Sequence, residues 1–176
     1  MLSQIADSLT YRPAISADSS KLSVLFRQVY IQTYATDGVS DELVDFMNPM
    51  FTVEKLEGTI TNHPGDIIVA VHKGNLVGVA EIVWDKQCPV GGIVAAEINK
   101  LYILERFCRG GVGTRLMQEA EQVIAGKGLR QAWLWVLAAN ERAVYFYEKM
   151  GYKWIGDAPF YTHLNRYENK VLLKEW

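Results

Sequence analysis

The chain has 176 residues, 49% of them apolar and 22% charged, with 18 basic against 20 acidic side chains for a formal net charge of −2 at pH 7. This fits a single domain over residues 1–176 and excludes a disordered chain, while the charge balance excludes a global positive field for nucleic acid or an anionic membrane. No apolar run approaches a membrane span, and Met1–Asp7 lacks the basic-then-apolar order of a signal peptide, so a cytoplasmic protein with neither nucleic-acid nor membrane partners is expected.

In chain order, Thr10–Pro13 predicts a short strand, and after Ser16–Asp18 the positions Leu22, Leu25, Phe26, Val29 and Tyr30 recur at helical spacing. Ser40–Met50 and Thr52–Thr61 predict two more helices, broken at Asn48 and Pro49 and ended near Asn62–Gly65. Ile67–His72 and Leu76–Trp84 are rich in β-branched residues and flank Lys73, Gly74 and Asn75, a hairpin pattern. Ile93–Leu104 reads as a central strand whose polar exceptions are Glu97, Asn99 and Lys100.

Gly111–Lys127 places Val112, Leu116, Met117, Ala120, Val123 and Ile124 on one helical stripe, stopped by Gly126 and Gly128. Ala132–Ala138 predicts a buried strand, with Trp133 and Trp135 alternating along it, and Asn140 is an N-cap for a helix whose Ala143, Val144, Tyr147 and Met150 share a face before Gly151. Lys153–Gly156 and Lys170–Lys174 close the chain as strands joined by a long aromatic loop around Pro159.

Charge is uneven along this order. Between Gln28 and Asp66 the acids Asp37, Asp41, Glu42, Asp45, Glu54, Glu57 and Asp66 face Lys55 alone, whereas from Glu105 onward eleven basic residues meet eight acidic ones. A solvated helix face accounts for this, and so does an acidic wall that receives a cationic ligand.

Arg109, Gly110, Gly111, Val112, Gly113 and Thr114 stand between a strand and a strong helix, where glycines admit a ligand to the backbone and the helix presents unpaired amides. That combination suits a pyrophosphate, or is a plain connecting turn. No Lys-Ser or Lys-Thr follows, and the GxGxxG order with a later acid is absent, so neither ATP nor NAD fits. Two cysteines, Cys88 and Cys108, are too few for a disulfide framework, and no His/Cys cluster has metal-ligand spacing, so no metal is expected.

At these residues the sequence resembles the GCN5-related N-acetyltransferases, whose signature is Gln/Arg-x-x-Gly-x-Gly/Ala after a strand ending Leu-Tyr-Val. Here the strand ends Leu101, Tyr102, Ile103, Leu104 and the loop runs Cys108 to Gly113, with Cys108 at the usual Gln/Arg position. A second element, Asn-x-x-Ala-x-x-Phe/Leu-Tyr followed by Gly-Phe/Tyr, is matched by Asn140, Ala143, Phe146, Tyr147, Gly151 and Tyr152. The resemblance implies an α/β fold with a mixed central sheet splayed between its middle strands and flanked by helices. It implies acetyl-CoA as co-substrate, with Leu101, Tyr102 and Ile103 holding the pantetheine arm, Arg109–Thr114 the pyrophosphate, and Asn140 and Tyr147 further parts of the coenzyme.

By the same resemblance Glu97, eleven positions before Cys108, is the base or water-relay candidate, its other reading being a carboxylate paired with Lys100 or a neighbour. Tyr147 occupies the position of the acid that protonates the leaving thiolate, and also fits a core position on its helix. The backbone amide of Tyr102 or Ile103 is the candidate oxyanion donor. His63, His72 and His163 have no partner at catalytic spacing, and no histidine is placed to activate Cys108.

The implied acceptor is a small-molecule amine. Tyr30–Ile60 and the aromatic C-terminal loop are loosely similar to bacterial spermidine/spermine acetyltransferases, which with the acidic stretch favours a polyamine-like cation. A peptide or protein amine, and a non-catalytic acyl-CoA sensor that needs neither acid nor base, are the competing readings. A homodimer is compatible with the sequence.

Overall fold

A computed structural model describes residues 8–162 and 164–176, so Met1–Asp7 and His163 lie outside the described residues. The chain forms two compact units, one comprising residues up to Glu81 together with Lys100–Ala120, the other Ile82–Asn99 together with Glu121–Trp176.

In the first unit β1 (Leu9–Pro13) pairs antiparallel with β2 (Ile67–His72), from Leu9↔His72 to Pro13↔Ile68. β2 turns through Lys73 (φ 50°) and Gly74 (φ 79°) into β3 (Asn75–Gln87), the paired left-handed conformation of a two-residue hairpin. Helix α1 (Ser19–Tyr34) buries the expected stripe of Leu22, Leu25, Phe26, Val29 and Tyr30. α2 (Asp41–Met50) and α3 (Val53–Asn62) follow, capped by Ser40, whose Oγ accepts from Leu43 N–H (3.3 Å), and Thr52, whose Oγ1 accepts from Lys55 N–H (3.2 Å). The break expected at Asn48 and Pro49 falls later: α2 runs through Pro49 and ends where Phe51 N–H donates to Met47 O (3.0 Å). A proline in the last turn forfeits one bond close to where the helix stops, so it terminates the helix and does not interrupt it.

Rings fill this unit's core. Tyr30 stacks on Phe46 (centroids 4.9 Å, 11°), and Phe26 meets Phe51 (5.5 Å) and Tyr102 (5.6 Å) edge to face. At its margin Asp18, 2% exposed, accepts both arms of the Arg12 guanidinium (2.6 and 3.0 Å) and the Ile15 amide (3.0 Å). The Arg12 hydrogen bonds hold the Asp18 carboxyl below the usual range. Because the native carboxyl titrates lower than the unfolded one at about 3.9, its stabilisation is complete above that value and is withdrawn as pH falls through the native value. Asp18→Asn is expected to cost about 1–2 kcal/mol near neutral pH, with the solvent around Arg12 keeping the loss modest. Thermal unfolding of the two proteins across pH checks this: the gap closes in acid, and a gap that stayed constant would refute the role.

In the second unit the strand order is the first part of β4 (Val94–Ile103), up to Asn99, then β5 (Gln131–Leu137), β9 (Asn169–Glu175), β6 (Lys153–Asp157). β4 and β5 are parallel at Ala96↔Ala132 and Glu97↔Trp133, while β9 runs antiparallel to both β5 and β6. Mostly antiparallel strands with one parallel pair, flanked by helices, make the expected mixed α/β architecture. Trp133, 1% exposed, anchors a core with Cys88, Ala95, Ala158 and Val171, and its Nε1–H donates to Lys86 O (3.4 Å). The stretch expected as an aromatic loop contains a two-residue ladder, β7 (Phe160–Tyr161) against β8 (Arg166–Tyr167), too short to leave an alternating pattern. Helix α4 (Val112–Gly126) spans the boundary of the units in sequence, and α5 (Glu141–Lys149) belongs to the second.

Among the described residues no helix is long and apolar enough to cross a membrane, and no group of three or more His, Cys, Asp or Glu residues could hold a metal ion.

Candidate active site

The first unit carries the end of β4 and the glycine loop. Leu101, Tyr102 and Ile103 are half-buried on β4, and Leu104 N–H donates to Val77 O (3.0 Å), tying the strand's exit to β3. β3 approaches closely here because position 78 is glycine: a Cβ at Gly78 would lie 3.1 Å from Leu116 Cδ1, 3.2 Å from Ile103 Cγ1 and 3.3 Å from Tyr102 O. After a single 3-10 turn, Glu105–Phe107, the chain enters the loop, in which Arg109 (φ 65°) and Gly111 (φ 81°) are left-handed.

That loop opens α4. The first bond back along the helix is Arg115 N–H to Gly111 O (3.0 Å), so the amides of Val112, Gly113 and Thr114 have no acceptor within the helix. A Cβ at Gly111 would meet nothing within 4 Å beyond its chain neighbours, so it is the left-handed φ, not crowding, that calls for glycine there. Free amides at the positive end of a helix dipole, with the exposed Arg109 beside them, fit a pyrophosphate. The cradle expected over Arg109, Gly110, Gly111, Val112, Gly113 and Thr114 is thus compatible with a coenzyme carrying that group. Cys108, at the signature's Gln/Arg position, is half-buried with Sγ 3.9 Å from Ile103 O, a contact to the loop's own base.

The second unit carries the side chains of the proposed chemistry. Glu97 is 8% exposed on β4, in register with Trp133. Lys100, one of the partners considered for it, is instead ion-paired with Glu81, with its ammonium 5.7 Å from the Phe26 ring. Three positions on a strand turn Glu97 and Lys100 to opposite faces. Asn140 caps α5 as expected, Oδ1 accepting from Ala143 N–H (3.2 Å), and Tyr147 is the buried residue of that helix.

Tyr147 is 9% exposed and packs edge to face on Phe146 (5.3 Å) and Tyr152 (6.3 Å). Behind it is a brace that the sequence did not reveal. Lys174 Nζ reaches both oxygens of Glu121 (2.8 and 2.9 Å) and lies 5.6 Å from the Tyr152 ring centroid. Burial first, and then the Glu121 charge, push the Tyr152 hydroxyl well above its ordinary value, so it stays neutral. Lys174 and Glu121 are 53 positions apart, beyond any local pattern, although Gly151-Tyr152 marked one end.

The acids split between the two readings of their charge. Asp37, Asp41, Asp45, Glu54 and Glu57 are exposed, as a solvated face requires, while Glu42 on α2 and Asp66 are buried at 5% and 7% exposure. His63 is exposed at the end of α3, and Cys88 is buried, its thiol pushed up first by burial.

Residues 32–152 match the sequence pattern described as the acetyltransferase (GNAT) family. The chain is 26% identical over 135 residues to an uncharacterized N-acetyltransferase of Mycobacterium bovis, covering 77% of this chain and 83% of that one. It is 31% identical over 94 residues to an uncharacterized N-acetyltransferase of Chlorobaculum tepidum, or 53% of this chain and 54% of that one. Its fold is similar to that of the PaiA N-acetyltransferase of Thermoplasma acidophilum in complex with coenzyme A, with a TM-score of 0.78 at 23% identity over 96% of this chain and 99% of that one. A ribosomal-protein-alanine N-acetyltransferase of Brucella melitensis has a TM-score of 0.75 at 17% identity, over 95% and 99% of the two chains.

Proposed function

Because the chain belongs to the acetyltransferase (GNAT) family, as an acetyl-CoA-dependent N-acetyltransferase, we propose that its acceptor is the primary amine of a small, polyamine-like cation. The observation that supports the coenzyme half of this reading most directly is the left-handed Arg109–Gly111 turn with the free amides of Val112, Gly113 and Thr114 beyond it. The acceptor half rests on α2, where Glu42 is buried beside the exposed Asp41 and Asp45. β3, β4 and α4 each contribute residues to both compact units, which supports one catalytic domain over 1–176.

The coenzyme supplies an activated acetyl thioester. An amine of ordinary pKa, about 10.4, is neutral in roughly one molecule per 2,500 at pH 7, a penalty of about 4.6 kcal/mol. Glu97, a buried carboxylate on the central strand, takes that proton directly or through water. The amide of Tyr102 or Ile103 donates to the oxygen on which charge develops, and the phenol of Tyr147 gives its proton to the departing sulfur. Arg109–Thr114 hold the pyrophosphate, Leu101–Ile103 the pantetheine arm, and Asn140 a further part of the coenzyme.

The test is thiol release from acetyl-CoA over a panel of polyamines, amino acids, aminoglycosides and peptides. Turnover is expected with polyamines, and Asp41→Asn, Glu42→Gln and Asp45→Asn together are expected to raise KM for them about tenfold, as removal of attractive charge would. Turnover confined to peptides would overturn the acceptor assignment, and coenzyme binding with no acceptor at all would favour a sensor.

A further inference from the structure

The coenzyme loop is held from below by its own backbone and from one side by a ring pair that the chemistry above does not use. In the turn leading into it, Phe107 N–H donates to Leu104 O (2.8 Å) and Cys108 N–H to Glu105 O (3.0 Å), which fixes the main chain as far as Cys108. The Phe107 side chain leaves that turn and rests against the imidazole of His72, with ring centroids 5.5 Å apart and planes tilted by 57°. His72 is the last residue of β2, paired with Leu9 on one side and Asn75 on the other, so its backbone is clamped in two ladders. Its ring is fixed in turn by a 2.6 Å hydrogen bond between Nδ1 and Ser8 Oγ.

A ring anchored at both backbone and side chain therefore bears on the residue two positions before left-handed Arg109. From this geometry we propose that His72 is a positioning residue for the coenzyme loop: it sets the seat of Phe107, and through it the direction in which Arg109 and the α4 amides face. It touches no reacting atom. The assignment rests on the reading of Arg109–Thr114 as the coenzyme cradle and adds to it a determinant of coenzyme affinity in β2.

The experiment measures CoA binding by calorimetry and steady-state turnover for the wild type, His72→Ala and His72→Phe. Loss of the ring contact is expected to raise both the Kd for CoA and the KM for acetyl-CoA about fivefold, with kcat and the acceptor KM unchanged. His72→Phe keeps a ring against Phe107 without the titratable nitrogens, and is expected to return both constants to within about twofold of wild type. Ser8→Ala, which releases the imidazole without emptying the space, moves the same constants in the same direction by less, and serves in place of His72→Ala should that variant not fold.

Unchanged CoA affinity in the alanine variants would overturn the proposal, as would a fall in kcat at unchanged KM or a phenylalanine variant as impaired as alanine. A wild type that binds no CoA would instead overturn the coenzyme reading, and this inference with it.

Discussion

Tyr147→Phe is expected to lower kcat about a hundredfold while the KM for acetyl-CoA stays within about twofold of wild type. The substitution removes one oxygen and keeps the ring. The ring is 9% exposed and sits edge to face against Phe146 and Tyr152, contacts that phenylalanine keeps. Next to it, the Lys174–Glu121 pair lies against the Tyr152 ring and is made without Tyr147. Burial and the Glu121 charge also keep the Tyr152 phenol protonated, so that hydroxyl does not compete as a base. Steady-state kinetics with CoA-binding calorimetry on the same samples check the prediction. An unchanged kcat would remove Tyr147 as the acid, and a loss of binding in step with kcat would make it a coenzyme contact only.

The second large effect is on stability. Gly78→Val is expected to cost about 3 kcal/mol, lowering Tm by roughly 6–12 °C for a chain of this size. The Cβ alone comes within 3.1–3.3 Å of Leu116 Cδ1, Ile103 Cγ1 and Tyr102 O. Leu116 can change rotamer, but the carbonyl of Tyr102 is part of β4 and moves only with the strand. Valine then adds two methyl groups where even one carbon is tight. Gly58→Ala on α3 is the comparison, because a Cβ there meets nothing within 4 Å; it is expected to stabilise by up to about 1 kcal/mol through helix propensity alone. Thermal melts of the two variants should move in opposite directions. A Gly78→Val protein with wild-type Tm would show that β3 and β4 do not approach as closely as described.

Why some of this was legible and some was not follows from the range of the interactions. The β2–β3 hairpin is specified by neighbours, two apolar runs and a Lys73-Gly74 turn, and it forms as expected. The stripe of α4 and the Asn140 cap are likewise local: Val112, Leu116, Met117, Ala120 and Ile124 are buried, and Asn140 bonds the amide three residues on. The site's supports are not local. Glu81 holds Lys100 from 19 positions away, Ser8 reaches His72 from 64, and Glu121 meets Lys174 only because β9 returns beside β5. No periodicity in the sequence encodes such pairs. The inward turn of Glu42 was hidden for a related reason: its helix begins Asp41-Glu42, two acids of like appearance, and only packing separates the exposed one from the buried one.

The place of β9 between β5 and β6 bears on how the protein is made. Residues 131–137 and 153–157 leave the ribosome before 169–175, the strand that covers both. Until that strand arrives, Trp133, Leu134 and Val136 belong to an apolar segment lacking its antiparallel neighbour, the kind of edge on which nascent chains associate. Anything that limits association of unfinished chains during that interval is therefore expected to raise the share that folds. Slower translation or a holding chaperone acts on that interval.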